Sequence, residues 1–263
     1  GYEALSESLK EADMRVLVSR WHSGKRGAPD LPVLALEPLE EHTDELTELL
    51  SEAAGQGAPV VVGLPKWEGE ATWNGWVHTV SLRSTQDAAN TLAILEGTPL
   101  SAAAVYRLEE PVACSGAPGI PDIPHSLQLI DSGQVPSIFP IITCDGGVLV
   151  GEIPYGAVGR VLVVADPDLW NTHGLANPAN PPVAEALLKQ TLSARGVIID
   201  ETIHGFEKAP SIWQELTTFP LSLFSAHLLG LFLLSVIAAA ARFGAPRSLP
   251  PRIPPGKGAL IEN

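Results

Sequence analysis

The chain has 263 residues, with 30 acidic and 16 basic side chains and a formal net charge of −14. That balance repels phosphate and argues against nucleic acid as a partner. Apolar residues make up 45%, enough for a large core, while 24 Gly and 24 Pro imply many loops.

In chain order, residues 1–13 carry Leu5 and Leu9 at helical spacing and predict a helix. A strand is expected at 14–19 and a second short apolar run at 31–36. Thr43 is a plausible N-cap for a helix whose face holds Leu46, Leu49 and Leu50 and which ends at Gly55-Gln56-Gly57. Residues 58–63 (Ala-Pro-Val-Val-Val-Gly) read as a third strand. Short apolar strands alternating with helices predict an α/β domain, its open sheet mainly parallel and covered on both faces.

The alternation stops after Gly63. Residues 66–155 contain Trp67, Trp73 and Trp76, then Pro- and Gly-rich sequence with β-like pieces at 126–130, 136–143 and 148–153. This stretch reads as an inserted β-rich lid or subdomain. The three tryptophans suit stacking on a sugar or a partner, or a local apolar cluster. Cys114 and Cys144, the two cysteines of the chain, both fall here. Outside the cytoplasm they can form a disulfide, with free thiols as the alternative; their shared region predicts that they approach one another. Neither has a CxxC spacing, so no cysteine metal site is expected.

The pattern resumes with a strand at 159–165, followed by Asp166-Pro167-Asp168-Leu169-Trp170. Pro181-Pro182 open a helix expected over 183–194. A strand at 196–200 runs directly into Glu201-Thr202-Ile203-His204-Gly205. The division expected is an α/β domain from 1–65 and 156–215, with 66–155 inserted into it.

Two loops carry the groups capable of chemistry. One holds Asp166, Asp168, Asn171, His173 and Asn177; the other holds Asp200, Glu201 and His204. Each leaves the carboxyl end of a strand, the edge at which open α/β sheets bind ligands. Asp166 and Asp200 are expected at one sheet edge, facing one crevice, with His204 carrying a proton and Glu201 orienting it. The simpler reading is that both aspartates brace their loops and that His204-Gly205 is a turn. There is no Walker loop, GxGxxG or GxSxG, and no second histidine near Glu201 for a zinc site. No cofactor or metal is therefore expected.

Residues 216–241 contain no Asp, Glu, Lys or Arg, and the run is apolar on every helical face. At about 1.5 Å per residue it reaches roughly 39 Å, enough to cross a bilayer core of about 30 Å. A transmembrane helix over 216–242 is expected, the alternative being a central core helix. His227 within it suits a partner helix or a nearby backbone carbonyl. Arg242, Arg247, Arg252 and Lys257 follow, against Glu262 alone, so the proline-rich tail 243–263 is expected in the cytoplasm. Residues 1–215, with a formal net charge of −17, then lie outside it. The start at Gly1-Tyr2-Glu3, without Met or an apolar signal, predicts a fragment or a processed chain lacking an N-terminal anchor.

The order of these blocks resembles the bacterial membrane proteins grouped as Domain of Unknown Function 4350. The blocks are the opening Gly1-Tyr2-Glu3-Ala4-Leu5, the strand–helix–strand run to Val60-Val-Val-Gly63, and Gly159-Arg-Val-Leu-Val-Val-Ala-Asp-Pro-Asp168. Asp200-Glu201 with His204-Gly205, and the apolar helix ending in Ala241-Arg-Phe-Gly244, complete the likeness. It implies a class I glutamine-amidotransferase-like (flavodoxin-like) domain held outside the inner membrane between two transmembrane helices. In active members of that superfold a nucleophilic cysteine follows a strand. The matching place here is Gly63-Leu64-Pro65-Lys66, which has no cysteine. The expectation is a membrane-anchored, non-catalytic binding or scaffolding protein with membrane-protein assembly partners. The alternatives are a hydrolase using Asp166, Asp168, Asp200, Glu201 and His204, and an accessory subunit of a transporter.

Overall fold

The computed structural model describes residues 2–71, 77–110, 112–116, 119–123, 126–156, 159–204, 216, 219 and 221–243. The chain divides into two compact units, Gly1–Lys208 and Ala209–Asn263.

In the first unit five parallel strands form the centre: β1 (Arg15–Ser19), β2 (Val33–Leu36), β3 (Val60–Gly63), β11 (Gly159–Val164) and β12 (Gly196–Asp200). Their side-by-side order is β1-β12-β2-β3-β11. Every residue of β2, β3 and β12 is buried, which is why these strands are continuous apolar runs without alternation. Counting only parallel strands along the chain, the order is 1-5-2-3-4, whereas flavodoxin itself has 2-1-3-4-5. The last strand slots between the first and second, a pairing across some 180 residues that no local pattern reveals.

Helices cover both faces. Helix α3 (Thr43–Gly55) crosses from β2 to β3, while α6 (Asn180–Ala186) lies in the return from β11 to β12. Right-handed crossovers running in opposite directions place these two on opposite faces. Helices α1 (Glu3–Glu11) and α5 (Thr172–Leu175) pack with α6; α2 (Ser23–Arg26) and α4 (Thr85–Glu96) pack with α3. Leu5 and Leu9 of α1, and Leu46, Leu49 and Leu50 of α3, are buried as their spacing predicts. The helix expected over 183–194 is shorter: α6 ends at Ala186 and a single wide turn, Leu187–Thr191, closes it.

The β-rich insertion extends the same sheet. Strand β10 (Gly147–Tyr155) runs antiparallel to β11; β8 (Leu127–Ile130) and β6 (Val105–Leu108) follow it outward. A hairpin joins β10 to β9 (Phe139–Cys144), and β9 carries the short strand β7 (Cys114–Gly116). Cys114 and Cys144 face each other in this last pairing and are disulfide-bonded, with Cα atoms 4.0 Å apart. Strands β4 (Trp67–Ala71) and β5 (Val77–Leu82) make a separate two-stranded hairpin. Trp73 and Trp76 lie outside the described residues. Helix α4 was not expected in this stretch. Ser84 caps its start, accepting from the Gln86 N–H, and Gly97 ends it in the left-handed conformation.

The second unit contains α7 (Leu221–Phe243), of which residues Leu221–Arg242, none of them buried, are long and apolar enough to cross a membrane. His227 Nδ1 lies 2.7 Å from the Leu223 carbonyl one turn back, so its polar atom is engaged within the helix itself. The tail from residue 244 onward lies outside the described residues.

Candidate functional site

The carboxyl ends of β3 and β11 converge on a buried ion group. Strand β3 leads directly into Leu64-Pro65-Lys66. Lys66 is fully buried. Its Nζ donates to Asp166 Oδ2 at 2.7 Å and to Asp168 Oδ2 at 2.6 Å. Both carboxylates also face other donors. Asp166 accepts from the backbone N–H of Asp168 and of Gln128. Asp168 Oδ1 accepts from Trp67 Nε1 at 2.6 Å and Asn171 Nδ2 at 2.7 Å.

Glu37, just beyond β2, holds the same turn from behind. Its carboxylate accepts from the backbone N–H groups of Lys66 and Trp67 and from the Tyr2 hydroxyl. The loop after β11 is wound tightly around the group. Asn171 caps α5 through the Gly174 N–H, and a Cβ at Gly174 would lie 1.3 Å from the Asp168 carbonyl oxygen. Only glycine fits there.

Burial dominates the electrostatics. It raises the Asp166 carboxyl to about 6; Lys66 opposes the shift and the Asp168 charge adds to it. Burial also raises Glu37, partly offset by its three donors. Tyr2 is raised well above its ordinary range by burial and by the Glu37 charge.

Beside Asp168 opens a cleft of ≈ 590 Å³, lined among others by Trp67, Asp122, Asp168, His173 and Asn177. The Trp67 and His173 rings meet edge to face, their centroids 6.5 Å apart. Asn177 and Asn180 tie the Asp122 segment to the loop before α6.

Asp200 lies at the same sheet edge, but β2 and β3 separate its strand from β11. It does not share a crevice with Asp166. Asp200 accepts from Ser23 Oγ, from Thr202 Oγ1, and from the Thr202 and Ile203 N–H groups. Glu201 pairs with Arg20. The His204 side chain lies outside the described residues. His22, Glu48 and Glu52 gather nearby, where Lys25 already supplies a cation 3.0 Å from Glu52.

The sequence candidates Trp67, Asp166, Asp168, Asn171 and His173 therefore meet at one place, while Asp200 and Glu201 do not join them. Lys66 was missed as a member. The signal was present as a lone lysine in the run Val60–Trp67, where every other residue is apolar, glycine or proline. Comparison with family models, with curated proteins and with solved structures finds no match to this chain.

Proposed function

We propose that this chain is a membrane-anchored binding protein that takes a small ligand in the Trp67–His173 cleft and performs no chemistry on it. One observation carries the reading: the buried Lys66 ammonium, in the turn where the resemblance would put a nucleophile, is bound between Asp166 and Asp168, the two aspartates that would act as acid and base. Asp168 keeps Trp67 in place and is itself enclosed, which suits a rigid binding wall better than a proton carrier. Asp200 and Glu201, which the hydrolase alternative would add, lie apart from this group across β2 and β3.

Helix α7 supports the anchor, and its basic flank favours a cytoplasmic tail with the acidic unit outside. The Cys114–Cys144 disulfide suits the same oxidising side. Membership of the Domain of Unknown Function 4350 group, work within a bacterial inner-membrane assembly and an amidotransferase-like ancestry belong to this proposal. They rest on the sequence blocks given above and on the parallel core.

The test is to assay the purified full chain in detergent against ester, amide and glycoside panels. No turnover is expected. Turnover in the wild type that Asp168→Asn or Asp200→Asn abolishes would overturn the reading in favour of a hydrolase. A reporter fused after Asn263 should be active only on the cytoplasmic side.

A further inference from the structure

We propose that the cleft beside Asp168 binds a primary ammonium group carried on a short apolar chain. The inference rests on the cleft being a binding site and names its ligand class. Its size is suitable, since ≈ 590 Å³ falls within the range of about 300–1,000 Å³ for small-molecule sites.

The hydrogen-bonding capacity left in the lining points to the ligand. Asn177 Nδ2 already donates to the Asp122 carbonyl and carboxylate, and Asn180 Nδ2 to the Asp122 and Gly174 carbonyls. Those amides have no donor to spare. Asp122 accepts one side-chain bond, at Oδ2, so its Oδ1 stays open among the described residues. Among the described residues Asp168 Oδ2 accepts from Lys66 alone, which leaves it a lone pair. The His173 ring has no hydrogen-bond partner among the described residues and, when neutral, offers one donor and one acceptor. Acceptors therefore outnumber donors. A phosphate or carboxylate ligand would meet two carboxylates and a single N–H.

Charge points the same way. Among the described residues lining the cleft there is no Lys or Arg. Behind the wall Lys66 is shared by two aspartates, and Asp122 adds a third carboxylate in front. An ammonium brings three donors, no acceptor and the missing positive charge. Trp67, half-buried in the wall, supplies apolar and π surface for the attached chain and the cation, and Ile123 and Pro178 add apolar contact. A sugar would use the indole but would set its own acceptor oxygens against carboxylates.

The test uses the full chain with ¹⁵N-indole tryptophan in lipid nanodiscs, the Trp67 resonance being assigned from Trp67→Phe. Because that N–H donates to Asp168, its shift reports directly on this wall. Four probes are titrated: butylamine, its neutral counterpart 1-butanol, methyl glucoside, and Nα-acetyl-lysine amide. Butylamine is expected to shift the resonance saturably, with 1-butanol about tenfold weaker and Asp122→Asn weakening the amine by a similar factor. Tighter binding of the lysine amide would assign the ammonium to a protein side chain, and tighter binding of butylamine to a free amine; both support the proposal. Equal binding of 1-butanol, or saturable binding of methyl glucoside in place of the amine, overturns the ligand class and leaves the cleft standing. If neither these probes nor a fragment library moves the resonance, the binding reading fails together with it.

Discussion

Asp166 and Asp200 look alike in sequence and occupy matching places, yet they do different work. Each stands at the carboxyl end of a parallel strand and caps a short 3₁₀ turn, Pro167–Leu169 or Thr202–His204. Each does so through Oδ1, which accepts an N–H two residues on at 2.9 Å. They diverge at Oδ2. Asp166 meets the buried lysine just beyond β3, a hundred residues away in sequence; among the described residues Asp200 Oδ2 meets the hydroxyl of Ser23. The local cap is common to both, and the distant partner decides which aspartate belongs to a charged site. Asp166 sits in a net-charged group beside a cleft, whereas Asp200 is a brace of its own loop.

The largest test of this contrast removes the cation. Lys66→Met keeps the stem length but leaves two carboxylates buried without a counter-ion. A loss of about 3–5 kcal/mol is expected, because breaking a buried pair strands the remaining charge. Urea unfolding of the full chain in detergent measures it. Lys66→Met combined with Asp166→Asn and Asp168→Asn should recover most of the loss, since no charge is then stranded. A Lys66→Met loss under about 1 kcal/mol would mean the group is hydrated in solution and the contrast with Asp200 is false.

The second test uses pH. Asp166 titrates near 6 in the fold, against 3.8 ordinarily. Between these values the unfolded chain has released the proton that the folded chain retains. The stability Asp166 contributes is therefore complete below about pH 4 and is lost as pH rises through 6, by roughly 3 kcal/mol. Comparing stability across pH 4–7, Asp166→Asn should remove this component of the slope and Asp200→Asn should retain it. An unchanged slope in Asp166→Asn would show that Lys66 holds Asp166 ionised throughout.

Much of the first unit is legible in the sequence because burial on both faces writes itself as apolar runs. Val33–Leu36, Val60–Gly63 and Gly196–Asp200 could hardly be anything but inner strands. Strand order was not legible, since pairing β12 with β1 depends on which way the crossovers turn. Helix α4 was overlooked although Ser84, Ala88, Leu92, Leu95 and Gly97 mark its cap, face and end. The Pro- and Gly-rich surroundings hid a local signal that was complete. At the site, the Asp166–Asp168 loop and Trp67 were readable as polar or aromatic groups at a strand end. Lys66 was not, because a lysine reads as solvent-facing unless its long-range partners are known.

A third and smaller effect concerns the brace. Ser23→Ala removes the hydroxyl from Asp200 Oδ2, while Oδ1 keeps its three donors from Thr202 and Ile203. A hydrogen bond to a buried charge contributes about 1.5–3 kcal/mol, and the lower end is expected here because the carboxylate remains partly satisfied. Ligand binding in the cleft should be unaffected. A change in the Trp67 indole resonance in Ser23→Ala would show that the two sheet-edge networks communicate after all.

The smallest expected effect lies at the boundary between the ion group and the cleft. Trp67→Phe deletes the N–H that reaches Asp168 Oδ1 but keeps an aromatic ring in the wall. Asn171 still donates to the same oxygen and Lys66 still neutralises the carboxylate. Trp67 is also only half-buried, so water can replace the lost donor. These compensations put the expected cost near 1 kcal/mol, well below that of Lys66→Met. If Asn171 and Trp67 share the task of fixing one oxygen, their effects should not add. Trp67→Phe combined with Asn171→Ala should then cost more than the sum of the two singles, because Oδ1 is left with no donor. An additive pair would mean that Asp168 is positioned by Lys66 alone. The cleft wall would then be a passive neighbour of the ion group, and the distinction between the Asp166 and Asp200 networks would rest on the lysine and nothing else.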